Sequence, residues 1–94
     1  ECQQAIINEF KKTARKRNKM YELNFSDDNL NEFPLVQLYV LLHEIGHMRS
    51  YKEHGFDFVI NLDTKDQATM FEMEREADTF ATKMFHIVKE KYLL

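Results

Sequence analysis

A mainly α-helical single domain, with room for no more than an optional short two-stranded β element, is the fold class this sequence predicts. Only 2 Gly and 1 Pro occur in 94 residues, too few for the many turns of an all-β domain. Apolar residues recur at helical spacing through three long stretches. The hydrophobic content is 44%, with 8 Phe and 4 Tyr. That is enough for a core and excludes collagen, a Pro/Gly linker and a charged disordered tail. Ninety-four residues make one domain's worth of chain, so residues 1–94 are read as a single minimal domain. Its start at Glu1 rather than Met fits a fragment or processed product of a longer chain.

Cys2 to about Asn18 reads as the first helix, with Ala5, Ile6, Phe10 and Ala14 near one face. Met20–Phe25 alternates, Tyr21, Leu23 and Phe25 against Glu22 and Asn24, which predicts a short strand. Ser26-Asp27-Asp28-Asn29 is turn chemistry. Pro34 suits the first turn of a second helix, where its missing N–H costs nothing. That helix is expected to run to about Lys52 and to stop before Gly55, a C-terminal cap. Between Leu35 and Leu42 it is apolar on nearly all sides, which predicts burial at the centre of the domain. Phe56–Leu62 alternates again and could pair with Met20–Phe25. Two strands alone are marginal, so a packed helix would have to support them. Asp63 or Thr64 is expected to cap a third helix. It starts near Lys65 and carries Met70, Met73, Ala77, Phe80, Ala81, Met84 and Val88 at helical spacing.

The net charge of -3 hides an asymmetry. Lys11, Lys12, Arg15, Lys16, Arg17 and Lys19 cluster near the start, while acidic residues collect at Asp27–Glu32 and Glu72–Asp78. The basic run has no interleaved aromatics, so a solvated helix face outweighs a nucleic-acid surface. The single cysteine, Cys2, excludes an internal disulfide framework and a Cys-rich structural metal site. It favours a reducing, cytoplasmic setting. The longest apolar run, Leu38–Leu42, falls far short of the roughly 18–20 residues of a membrane span. No membrane partner is expected.

The second helix contains His43-Glu44-Ile45-Gly46-His47, an H-E-x-x-H pattern. Histidines at i and i+4 project from one helix face and can share one ion. Glu44 lies about 100° round the helix from His43, beside such an ion rather than on it, where it can accept a proton. Gly46 in a helix interior costs about 1 kcal/mol relative to Ala, which implies a packing reason. Burying two histidines and a glutamate in a Leu/Val/Ile helix without a metal would be expensive. A catalytic zinc needs a third protein ligand, and the third helix offers Glu72, Glu74, Glu76 and Asp78. Glu74, Ala77, Asp78 and Ala81 share a face, and the two alanines allow close approach. Glu74 can therefore ligate, and Asp78 can receive the other ring N–H of a ligating histidine. Glu72 and Glu76 point elsewhere. The longer pattern H-E-x-x-H-x-x-G-x-x-H of metzincins fits poorly, since Ser50 replaces its Gly and Glu53 its last His, with His54 one place late. Tyr51 and His54 are candidates for stabilising an oxyanion. The Met-rich face is core filler by default.

His43-Glu44-Ile45-Gly46-His47, followed by Glu74-Arg75-Glu76-Ala77-Asp78-Thr79-Phe80-Ala81, resembles the gluzincin metallopeptidases, closest to the ImmA/IrrE type. The resemblance covers roughly Leu35 to Met84. It implies a minimal α+β zincin with three principal helices around a Zn2+ site. In it His43, His47 and Glu74 bind zinc, and Glu44 is the catalytic base. It further implies a protein or peptide substrate, such as a transcriptional regulator. The alternative is a catalytically inactive, metal-stapled protein-binding module, which the small size favours and the presence of Glu44 opposes.

Overall fold

The computed structural model describes residues 2–93, which are mainly helical. Four α-helices follow one another: α1 (Cys2–Tyr21), α2 (Phe33–His54), α3 (Phe56–Ile60) and α4 (Gln67–Val88). Single 3-10 turns occupy Asp27–Leu30 and Leu62–Thr64, and a π-helical turn, Lys89–Leu93, extends α4. No helix among the described residues is long and apolar enough to cross a membrane.

The boundaries follow from local chemistry. Pro34 sits in the first turn of α2, and Gly55, at φ 91°, closes its end by donating its N–H to the Tyr51 carbonyl. Both match the sequence reading. The cap of α4 is Asp66 rather than Asp63 or Thr64. Its carboxylate accepts from the Thr69 N–H at 2.8 Å, and the Thr69 hydroxyl, with that N–H second, holds its pKa below the usual carboxylate value. Leu62–Thr64 instead form a separate turn.

Neither expected strand forms. Helix α1 runs on through Tyr21 and ends with Glu22 at φ 56°. Leu23 N–H then reaches back to the Asn18 carbonyl at 2.9 Å, the wrap of a Schellman motif. Asn18 Oδ1 accepts from the Phe25 N–H, also at 2.9 Å. The alternation of Tyr21, Leu23 and Phe25 marks side chains turned inward at the end of α1 and in the linker that follows it. Tyr21 and Phe25 are buried, but no strand pairs with them. Without that partner Phe56–Ile60 closes into α3, its Asn61 side chain donating to the Asp57 carbonyl at 2.8 Å. Phe56 and Ile60 stay exposed.

Helices α2 and α4 form the central pair. Tyr39 meets Thr82, His43 meets Asp78 and His47 meets Glu74, so the two run antiparallel. The core gathers at the N-terminal half of α2: Ile7, Phe25, Leu30, Val36, Tyr39, Leu42, Ala81 and Phe85. Phe25 packs edge-on against Phe85, with centroids 5.3 Å apart. The inward stripe of α1 is Ile7, Phe10, Ala14 and Tyr21, with Ile6 more exposed than expected. The burial expected all round α2 is also only partial. Helix α1 covers one flank and α4 another, leaving Val40, Leu41 and Met48 exposed. On α4, Met73, Ala77 and Ala81 are buried as the spacing predicts, whereas Met70 is 38% exposed.

Candidate metal centre

Gly46 has the packing reason its cost implies. A Cβ built there would lie 2.9 Å from Ala77 Cα and 3.0 Å from Ala77 O. The backbones of α2 and α4 therefore approach where only glycine fits, and Ala77 is fully buried beside it. This contact sets α4 against the histidine face of α2.

There His43, His47 and Glu74 each turn one ligand atom into the same space, all within 4.8 Å of one another. Glu74 Oε2 lies 2.8 Å from His47 Nε2, and Oε1 lies 3.4 Å from His43 Nε2. Behind them, Asp78 is fully buried, and its Oδ1 is 2.6 Å from His43 Nδ1. A carboxylate can only accept, so His43 Nδ1 carries the proton and Nε2 keeps its lone pair for an ion. This bond raises the His43 pKa above its usual range, against the opposing effect of burial. His47 lacks such a support: its Nδ1 is buried with no hydrogen-bond partner among the described residues, as is Asp78 Oδ2.

The donor set fits a divalent cation. Two imidazole nitrogens and a carboxylate form a usual catalytic zinc set with a position left open. The buried, oriented Asp78 is the support such histidines generally have. Glu72 stays on the surface beside Arg75, at 3.4 Å. Glu76 accepts from the buried Ser50 hydroxyl at 2.8 Å rather than joining the cluster.

Glu44, which is exposed, lines a cleft of about 240 Å³ between α1 and α2. Phe10, Ala14, Leu30, Tyr39 and Val40 give that cleft an apolar wall, and Arg17 and His43 share it with Glu44. A shallower apolar groove along Ile6, Phe33, Val36 and Leu41 also reaches Glu44. Tyr51 stacks on His47, with centroids 5.7 Å apart and planes 20° apart. The ring of His54, which is exposed, stacks on Phe58 of α3 at 4.3 Å.

One residue of the cluster lay hidden in the basic run. Arg17 Nη1 is 3.3 Å from Asp78 Oδ1, and Nη2 is 3.2 Å from Glu74 Oε1. Its spacing could have revealed it, since Ile7, Phe10, Ala14, Arg17 and Tyr21 fall on one helical stripe. The rest of the run behaves as a surface: Arg15 pairs with Asp27 at 2.7 Å, Lys11 donates to Asn31, and Lys12, Lys16 and Lys19 are exposed.

No family model, curated protein or solved structure matches this chain.

Proposed function

We propose that this protein is a zinc-dependent metallopeptidase of the gluzincin kind, resembling the ImmA/IrrE type. The observation that carries the reading is the convergence of His43, His47 and the Glu74 carboxylate, with buried Asp78 bonded to His43. In this reading His43 Nε2, His47 Nε2 and Glu74 hold one Zn2+. Bound zinc polarises a carbonyl and brings the pKa of water toward about 7. Glu44, on the cleft wall and in no ion pair among the described residues, takes the proton of the attacking water and passes it to the leaving amine. Asp78 keeps His43 in the ligating tautomer. The apolar cleft excludes water and receives a substrate side chain. Tyr51, against His47, is better placed than His54 to steady the developing oxyanion. The substrate is a protein or peptide, a transcriptional regulator on the family resemblance. A cytoplasmic setting belongs to the same reading and rests on the lone, unpaired Cys2.

The exposed apolar groove along Ile6, Phe33 and Leu41 favours a second reading, an inactive metal-stapled module that binds a partner. One experiment separates the two. The purified chain is assayed for zinc, then incubated in its zinc form with a peptide library. Glu44→Gln should keep full zinc occupancy and lose cleavage by about 10²–10⁴-fold. Cleavage that survives Glu44→Gln would refute the mechanism. Absence of any zinc-dependent cleavage, with unaltered partner binding by Glu44→Gln, would favour the module.

A further inference from the structure

Arg17 stands apart from the other cations of α1. Its side chain is only about one-third exposed, and it crosses to α4 to touch two carboxylates at once. Asp78 is fully buried and would be costly without a positive partner. Glu74 uses the same oxygen, Oε1, toward Arg17 Nη2 at 3.2 Å and His43 Nε2 at 3.4 Å. Two carboxylates and one guanidinium leave a single net negative charge facing an incoming divalent ion.

We propose that Arg17 is a resident counter-cation of the metal centre: it holds Glu74 and Asp78 together while no metal is bound, and it competes with the metal for Glu74 Oε1. The proposal rests on the metal-centre reading above. Three effects act in one direction. The guanidinium repels an ion seated one carboxylate away. It occupies one of the two Glu74 oxygens open to the ion, the one nearer His43. It also draws charge from Asp78, which makes His43 a weaker donor. Opposing them is the order Arg17 imposes on Glu74, which favours binding, but less than a full charge at this range. Metal entry therefore moves Nη2 off Glu74 and leaves Arg17 held by Asp78 at the edge of the cleft shared with Glu44.

The test uses the full chain. Zinc affinity is measured by competition with a chromophoric chelator, at low and high salt, for wild type, Arg17→Gln and Arg17→Lys. Arg17→Gln should bind zinc about tenfold or more tightly at low salt, with the gap narrowing as salt is raised. Arg17→Lys, which keeps the charge, should stay near wild type. With a chelator in excess, Arg17→Gln should melt below wild type. Should Arg17→Gln not fold, the wild-type Arg17 guanidinium NMR signal supplies the readout, since it should shift on zinc addition. Equal or weaker zinc binding by Arg17→Gln, or a guanidinium signal unmoved by bound zinc, would overturn the proposal and leave the metal centre standing. A wild-type chain that takes up no zinc would instead refute the centre itself, and the proposal with it.

Discussion

Replacing Gly46 by alanine sets two opposite effects against each other. In an unencumbered helix interior the change is favourable by about 1 kcal/mol, because alanine has less backbone freedom to lose. Here the new Cβ would sit 2.9 Å from Ala77 Cα, about 0.5 Å inside the 3.4 Å at which ordinary contact begins. Phe80 Cδ2, at 3.3 Å, is a side chain and can yield, but Ala77 is backbone and can yield only if α4 moves. Overpacking of this kind costs about 1–3 kcal/mol, so the net loss is up to about 2 kcal/mol. For a domain this size that lowers the melting temperature by up to roughly 10 °C. The larger effect falls on the site. Ala77 lies between Glu74 and Asp78 in sequence, so a shift of α4 lengthens both the His47–Glu74 and His43–Asp78 contacts. Metal sites tolerate displacements of only about 0.5 Å, and zinc affinity should fall at least about tenfold. Thermal melts with and without zinc, with a chelator competition titration, measure both. A Gly46→Ala protein that gains stability and binds zinc like the wild type would refute the idea that this glycine sets the site.

Three further outcomes are expected. Stripping the zinc-loaded protein with a chelator should lower its melting temperature, because a ligand of the native state alone stabilises it; an unchanged curve would separate the metal from the folded core. Asp78→Asn removes the anionic acceptor of His43 Nδ1 and should weaken zinc binding by roughly 10–100-fold in a competition titration; unaltered affinity would mean Asp78 does not orient His43. Burial pushes the Tyr39 hydroxyl up to about 12, from 10.0. Between those values the unfolded chain has lost that proton and the folded chain has not, so stability falls as pH rises, by about 1.4 kcal/mol per unit. Urea melts across that range should show a shallower fall for Tyr39→Phe, and an identical fall would count against a buried, neutral Tyr39.

The site was more legible in the sequence than the fold around it, for a physical reason. The spacing of His43 and His47, and the shared face of Glu74, Ala77, Asp78 and Ala81, are properties of one helix at a time, so periodicity captures them. What the reading missed depends on partners distant in sequence. Met20–Phe25 and Phe56–Leu62 alternate as strands do, but a strand exists only if another pairs with it. Here Asn18 recruits the first segment's backbone, and the second closes into a helical turn. Arg17 looked solvated because its neighbours are. Only its place on the stripe with Phe10 and Ala14 separates it from Lys16, and only α4 supplies the carboxylates it meets.

The register of α2 against α4 explains why no sheet is needed to build this centre. Tyr39–Thr82, His43–Asp78 and His47–Glu74 advance four residues at a time along both helices. Each contact is thus a rung on facing i, i+4 rows. Rung one is a buried hydroxyl pair next to the aromatic core of Phe25 and Phe85. Rung two holds His43 by its Nδ1, and rung three supplies the carboxylate that faces both histidines. Gly46 and Ala77 lie beside the last two rungs and hold the helices close enough for short side chains to meet. Because the rungs share one register, a slide of α4 that broke one would break all three. The packing at Tyr39 is therefore tied in register to Glu74 through two helices alone. Helix α1 contributes differently: it caps the core through Ile7 and reaches the centre through Arg17. The geometry of the His43, His47 and Glu74 cluster accordingly belongs to the α2–α4 pair, while α1 brings the Arg17 guanidinium against its carboxylate.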